Sequence, residues 1–255
     1  MATALLAPLR GLMDMVLPPR CPACLAMVTG DGQFCLSCWQ QLQFITAPFC
    51  ARCGTPFAHD MGPGASCAPC LAEPPRFHAA RSAAVYGGPA RSVLLALKHG
   101  DRQHLARMMA PHMLRAAGDM LAGDVVLVPV PLHWQRLWQR GFNQAALLAQ
   151  ALARHSGATL ALDALERVKP TPASKGMGRK DRIANVRGAF RVRDRAAIVG
   201  RSVLLVDDVM TSGATANACA RLLRRAGARQ VNVLTFARAV READGNGQPA
   251  PIGSE

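Results

Sequence analysis

Hydrophobic periodicity is nearly absent from the first 80 residues and strong in those that follow. Beyond residue 80, short apolar runs alternate with segments of helical spacing. Positions 83–86, 125–130, 203–206 and 231–236 read as strands, and 90–99, 104–117, 143–155 and 215–226 as helices. Apolar runs of this kind, separated by helices, predict an α/β fold with a mostly parallel sheet covered on both faces. Ligands of such sheets bind at the carboxyl ends of the strands. The stretch 167–201 fits neither period. Before residue 80, turn residues dominate, and a linker is expected at Glu73-Pro74-Pro75-Arg76. At the N-terminus Leu5, Leu9, Leu12 and Val16 follow a helical spacing, which predicts a short amphipathic helix over 1–20. Residues 241–255 read as a disordered tail.

Composition sharpens this division. Half of the 255 residues are apolar and 18% are charged, which excludes a disordered chain. No apolar run is long enough to cross a bilayer, and Arg10 and Asp14 interrupt any signal-peptide pattern. A soluble, cytoplasmic protein is expected. Residues 1–80 hold four Arg against four acids, whereas 81–255 hold 26 Lys or Arg against 12 acids. The net charge of +14 therefore sits on the second part, where a polyanion would bind. GC-rich coding is the alternative source of so many arginines, since 26 of the 30 basic residues are Arg. Within 167–201 eleven basic residues face two acids.

Eight of the nine cysteines form four Cys-x-x-Cys pairs: Cys21/Cys24, Cys35/Cys38, Cys50/Cys53 and Cys67/Cys70. In a chain with no export signal this spacing favours metal over disulfides. Two such knuckles complete a tetrahedral thiolate site, so two structural Zn²⁺ ions are expected, with sequential or interleaved pairing both open. Cys219 stands alone in a helical stretch and reads as a small buried apolar residue.

The most informative segment is Val203-Leu204-Leu205-Val206-Asp207-Asp208-Val209-Met210-Thr211-Ser212-Gly213-Ala214-Thr215. An apolar strand delivers two carboxylates and then a hydroxyl-rich turn that opens a helix. Gly213 lets backbone N–H groups approach an anion, and the helix N-terminus adds donors and a positive dipole end. Thr211, Ser212 and Thr215 add hydroxyl donors suited to a phosphate. Asp207 and Asp208 would repel that phosphate and suit ribose hydroxyls instead, directly or through Mg²⁺.

This segment resembles the 5-phosphoribosyl diphosphate (PRPP) signature of the type I phosphoribosyltransferases. In that fold a second loop holds the diphosphate, and Pro131, Leu132, Arg136 and Arg140 stand in the corresponding place. Arg136 and Arg140 are four residues apart and share a helical face. Trp134 and Trp138 have the same spacing and could stack bases or pack against the neighbouring module. The segments 128–145 and 167–190, with the cysteine pairs in front, narrow the resemblance to the ComF family of double zinc ribbon, phosphoribosyltransferase-like proteins. Its Arg-Gly-Phe-Asn-Gln motif stands here as residues 140–144, and its Asn-Val-x-Gly-Ala-Phe motif as 185–190.

The resemblance implies a ribbon module over 21–78 and a phosphoribosyltransferase-like domain over 79–240. It implies PRPP with Mg²⁺ as ligand, bound by residues 207–215, and a flexible loop contributing Lys169, Thr171 and Arg182. It also implies a link to natural competence, with single-stranded DNA or the DNA-uptake machinery as partner and Trp134, Trp138, Arg179 and Lys180 as candidate contacts; a dimer is left open. Ser174 departs from the family, which carries Gln there, so that loop contact does not transfer. Purine-salvage members of the fold carry an acidic base where this chain has Thr211. Two readings follow: a transferase with Asp207 and Asp208 at its centre, or a PRPP-responsive, non-catalytic binder of single-stranded nucleic acid. In either, the zinc module could form the hood over the acceptor.

Overall fold

The computed structural model describes residues 18–99, 102–171 and 178–240, with the side chains of Arg179 and Lys180 left aside. The amphipathic segment up to residue 17, the tail 241–255 and Ser174 lie outside the described residues. Two short helices, α1 (Leu36–Gln41) and α2 (Ala68–Ala72), belong to the cysteine region. The sheet domain follows, with β1 (Ala80–Val85), α3 (Gly88–Leu97), α4 (Leu105–Ala117), β2 (Val125–Pro129), α5 (Trp134–Arg140), α6 (Gln144–Ser156) and β3 (Thr159–Leu160). Next come β4 (Leu165–Arg167), α7 (Arg179–Asn185), β5 (Phe190–Val192), β6 (Ser202–Met210), α8 (Ala214–Arg225) and β7 (Gln230–Arg238).

Five strands form a parallel sheet in the order β1-β7-β6-β2-β3, and β4 and β5 form a separate antiparallel hairpin. The hairpin and α7 occupy the stretch whose pattern fitted neither period. Alternation along β6 divides the core. Leu204 and Val206 face one side, where α3, α4 and α6 bring Leu94, Met109, Met113 and Leu148. Val203 and Leu205 face the other, where α8 brings Ala216, Cys219 and Leu223 and the hairpin brings Leu165 and Phe190. Cys219 is wholly buried among them, and that burial pushes its thiol up, so it stays a protonated apolar filler.

The segment 73–79 is more than a linker. The Arg76 backbone N–H donates to Asn217 of α8 at 2.7 Å, Phe77 is buried, and the His78 N–H donates to the Val231 carbonyl at 2.7 Å. The cysteine region is thereby clamped across the edge of the sheet.

Candidate functional site

The sheet itself sets the stage. Pairing between β2 and β6 ends at Pro129–Val206, whereas β6 and β7 stay paired to Met210–Arg238. The strand read as 203–206 thus runs four residues further, and Asp207–Met210 project past the end of β2. A crevice opens on that side, at the carboxyl end of the sheet.

Successive side chains of a strand point to opposite faces, so the two acids reach different surroundings although their carboxyl groups still hydrogen-bond to each other. Asp207 is half-buried and lines a small cleft with Thr211–Ala216, Val130 and Arg182. Asp208 is buried and points toward α3, where Lys98 Nζ lies 3.0 Å from its Oδ2. Burial and the neighbouring Asp208 charge push the Asp207 carboxyl well above the usual range. Burial raises Asp208 too, but the Lys98 ammonium and hydrogen bonds from Asp207 and the Val209 N–H together outweigh it, and the net shift is downward. Asp208 is therefore the settled anion of the pair, while Asp207, whose Oδ1 accepts the Asp208 N–H at 2.9 Å, is the carboxyl whose charge still calls for a cation.

The turn after β6 has the geometry that its glycine allows. Gly213 sits at φ 75°, in the left-handed region, and a Cβ there would come within 3.1 Å of Met210 Cε. Helix α8 starts at the next residue, and Ser212 Oγ accepts from the Ala214 N–H at 3.4 Å. Thr211 is exposed, and Ser212 and Thr215 are half-buried. Val209 is half-buried and Met210 buried; they carry the strand into the turn.

Cations gather at the opposite lip. Arg136 and Arg140 on α5 are half-buried; Arg136 Nη2 donates to the Thr171 carbonyl at 2.9 Å, and Arg140 Nη1 to Gln144 Oε1 at 2.7 Å. Arg167, at the end of β4, donates to the Thr171 hydroxyl and leaves its buried Nε without a partner. Burial lowers both Arg140 and Arg167; Asp208 pulls Arg140 back up, and Asp207 does so for Arg167. The two carboxylates therefore share one electrostatic neighbourhood with Lys98 and three arginines. The sequence pattern exposed Arg136 and Arg140. It missed Lys98 and Arg167, which reach the crevice from α3 and β4, and only the tertiary fold brings those elements there.

Other expected residues are scattered around this centre. Pro131 is buried and Leu132 half-buried in the loop after β2. Trp134 and Trp138 are 64% and 79% exposed, so neither packs against the cysteine region. Lys169 is exposed, its Nζ 3.4 Å from where a Cβ on Gly188 would stand. Arg179 and Lys180 open α7. Arg182, on the same helix, lies beside Thr211–Gly213 with its buried Nε unpartnered.

The eight cysteines fall into two groups, Cys21/Cys24/Cys35/Cys38 and Cys50/Cys53/Cys67/Cys70, whose sulfurs all lie within 4.8 Å of one another. Pairing is therefore sequential. The second group stands over the turn after β6. Between them is a cavity of about 300 Å³ lined by Cys53, Cys67, Phe77, Thr211, Ser212 and Arg238, among others. Arg238, buried at the end of β7, ties the two together by donating to the Cys53 carbonyl at 2.8 Å.

A family model of a double zinc ribbon domain matches residues 12–71, and one of a phosphoribosyl transferase domain matches residues 140–249. Competence protein F of Haemophilus influenzae is 31% identical over 80% of this chain and 90% of its own length. The chain belongs to the ComF family. DNA utilization protein YhgH of Escherichia coli is 30% identical over 88% of this chain and 99% of its own. A hypoxanthine phosphoribosyltransferase from Staphylococcus aureus superposes with a TM-score of 0.36 at 14% identity, covering 60% of this chain and 71% of that one. At that distance it adds nothing to the family match.

Both ComF motifs acquire physical roles in the fold. In residues 140–144, Gly141 ends α5 at φ 80°, and Phe142 is buried. Asn143 caps α6 by accepting from the Ala145 N–H, and its amide donates to the Val130 carbonyl at 3.0 Å. The motif thus fixes α5, and with it Arg136 and Arg140, at the end of β2. In residues 185–190, Val186, Ala189 and Phe190 are buried, and Gly188 turns the chain at φ 65°.

The thiol clusters fit the zinc that a ComF ribbon implies. Tetrahedral Zn–S bonds of about 2.3 Å place sulfurs roughly 3.8 Å apart, and Cys24–Cys35 and Cys53–Cys67 are each separated by 3.6 Å. Burial raises Cys21 and Cys50, but backbone N–H donors bring them down to about 6. Burial and neighbouring sulfurs push Cys38 and Cys70 up. Four sulfurs so close cannot all ionise without a cation among them. Two Zn²⁺ sites are what this donor set supports. No helix among the described residues is long and apolar enough to cross a membrane.

Proposed function

We propose that this ComF protein binds PRPP at the end of β6 and serves the handling of incoming single-stranded DNA. The observation that carries the ligand reading is the division of labour in the Asp207–Asp208 pair. Asp208 is neutralised by Lys98, while Asp207 faces the cleft made by the glycine turn and the start of α8. In this reading the turn, residues 211–215, holds the 5-phosphate through backbone N–H groups and hydroxyls. Asp207 takes the ribose hydroxyls, and Asp208 acts as a positioning residue by holding Lys98 at the lip. Arg136, Arg140 and Arg167 neutralise the diphosphate. Mg²⁺ would sit with the diphosphate and the Asp207 carboxylate, where its charge assists departure of the leaving group. Thr211 offers no base, so an acceptor must bring a competent nucleophile of its own. Transfer would break the C1–oxygen bond to diphosphate and form a bond from C1 to that nucleophile. The cavity beneath the second ribbon supports a hood at that end of the site. The DNA role rests on the names carried by relatives, competence protein F and DNA utilization protein.

Calorimetric titration of PRPP and Mg²⁺ into the wild type and an Asp207→Asn variant, with and without single-stranded DNA, tests this. Micromolar binding that falls at least tenfold in the variant is the expected result. A change in that affinity caused by DNA would favour the PRPP-responsive binder over the transferase. Absence of binding to the wild type would reduce the 203–215 segment to scaffold.

A further inference from the structure

The largest unexplained feature lies outside this site, on the solvent face of α8. Its buried stripe is Ala216, Cys219, Ala220 and Leu223. Its outer stripe continues from Asn217 to Arg221, Arg224 and Arg225, and the exposed Arg76 stands against it. An open groove of about 370 Å³ is lined by these four arginines alone. It adjoins a second groove of about 390 Å³ that shares Arg76 and Arg224 and adds Arg52 and Arg229. A third, of about 600 Å³, shares Arg76 and Arg221 and reaches Ala214 and Asn217, next to the turn after β6. Among the described residues none of these six arginines has a carboxylate at ion-pair distance; the surface ion pairs belong to Arg191, Arg193 and Arg201.

Arg224 and Arg225 alone would suit the negative end of the α8 dipole. Arg221, a turn earlier, and Arg76, on another segment, have no such use. Like charges on one helical face repel. The acids beside the track are Glu73, in the third groove, and Asp124, whose carboxyl is held low by Arg201 and then by Arg229. The row Arg221, Arg224 and Arg225 is therefore a surface that awaits an anion. Its continuity along three grooves calls for a polyanion rather than one phosphate. We infer that this arginine track binds the sugar-phosphate backbone of a single-stranded nucleic acid. The 73–77 segment and α7 flank α8, so it is not a free helix to be laid into a major groove about 12 Å wide, and the choice of a single strand follows from the DNA role proposed above. No exposed Phe, Tyr or Trp lines the three grooves, and the exposed His78 imidazole borders only the second, so the track is built chiefly to meet phosphates. It is also separate from Trp134 and Trp138. The inference deepens the DNA role proposed above, and its track ends where α8 meets the ligand turn.

The test is fluorescence anisotropy of a labelled thymidine 30-mer with the zinc-loaded chain over a range of salt concentrations. It compares the wild type with the triple variant Arg221→Ala/Arg224→Ala/Arg225→Ala and with the corresponding triple Lys variant. Removing three phosphate contacts should weaken low-salt binding at least tenfold and flatten the salt slope by about 2, at ~0.7 per contact. The Lys variant should keep most of the slope, since the effect is charge neutralisation and not loss of fold. An unchanged slope in the Ala variant would overturn the inference. So would tighter, equally Arg-dependent binding of a duplex, or binding lost only in Trp134→Ala/Trp138→Ala. PRPP titration of the same variants keeps this result apart from the ligand reading, which stands or falls on the wild-type titration.

Discussion

The two thiolate clusters share chemistry and sequence pattern, yet they occupy different places. In the first, α1 presents Trp39 to Phe34 and Phe44 and to His112 of α4, with ring centroids 5.2–6.5 Å apart. That face lies behind the helices, away from the crevice. In the second, Cys50, Cys53 and Cys70 belong to the same core cluster as Phe77, Val203 and Leu205, and Cys53 and Cys67 wall the cavity beside the ligand turn. A zinc knuckle is a rigid block, and its use depends on which face of the sheet it lies against, since both regions are tied to the same edge strand, β1. The first braces the helical layer, and the second shapes the site.

The sharpest way to break that comparison is to remove one ligand from each cluster. Cys21→Ser and Cys53→Ser should each lower bound zinc from two ions to one, by metal analysis. Structural zinc contributes roughly 10–16 kcal/mol in small modules, so each variant should melt its own ribbon. Only Cys53→Ser is expected to weaken PRPP binding, by tenfold or more in calorimetry, because only the second ribbon borders the ligand turn. Equal losses in both variants would mean that the ribbons act as one unit.

A smaller effect is expected at the link between the second ribbon and the sheet. Arg238→Met keeps much of the side-chain volume but removes the donor to the Cys53 carbonyl. A hydrogen bond from a charged group is worth about 1.5–3 kcal/mol. The urea midpoint should fall accordingly with an unchanged slope, while both zinc ions remain bound. Retention of wild-type stability would show that burial of the second ribbon, and not this bond, holds it over the site.

The sequence was most legible where chemistry is local. The 203–215 segment carries strand, acids, glycine turn and helix start within thirteen residues, and the Cys-x-x-Cys spacing announces its ligands directly. The parallel sheet was legible as well, because strands such as β2 and β6 are apolar on both faces. What remained hidden depends on distant elements meeting. Lys98 is 110 residues from Asp208, and nothing around it in the chain marks it as a counter-ion. Arg76 and Arg221 align only because the 73–79 segment crosses α8. The divergence of Asp207 and Asp208 follows from the strand continuing to Met210, which required β7 as its partner. The β4–β5 hairpin was illegible for another reason: strands of three residues are too short to show a period.

The smallest effects should come from the first ribbon's aromatic contact. Trp39 is 45% exposed, so its loss forfeits ring contacts more than buried area. Trp39→Ala should cost about 1 kcal/mol, in the range of such aromatic pairs, and lower the melting temperature by roughly 2–4 °C without altering PRPP affinity. His112 gives the same contact a pH signature. Burial, followed by the Arg115 cation, holds its imidazole below the ordinary value of 6.5. The unfolded chain therefore takes up that proton first. Stability from this stack should be complete above the ordinary value and decline as pH falls through it toward the lowered folded value. His112→Phe keeps a ring against Phe44 and removes the proton, so its melting temperature should vary less with pH than that of the wild type below pH 6.5. If both chains lose stability in parallel over that window, the protonation that destabilises the fold lies elsewhere, and the first ribbon is braced by packing alone.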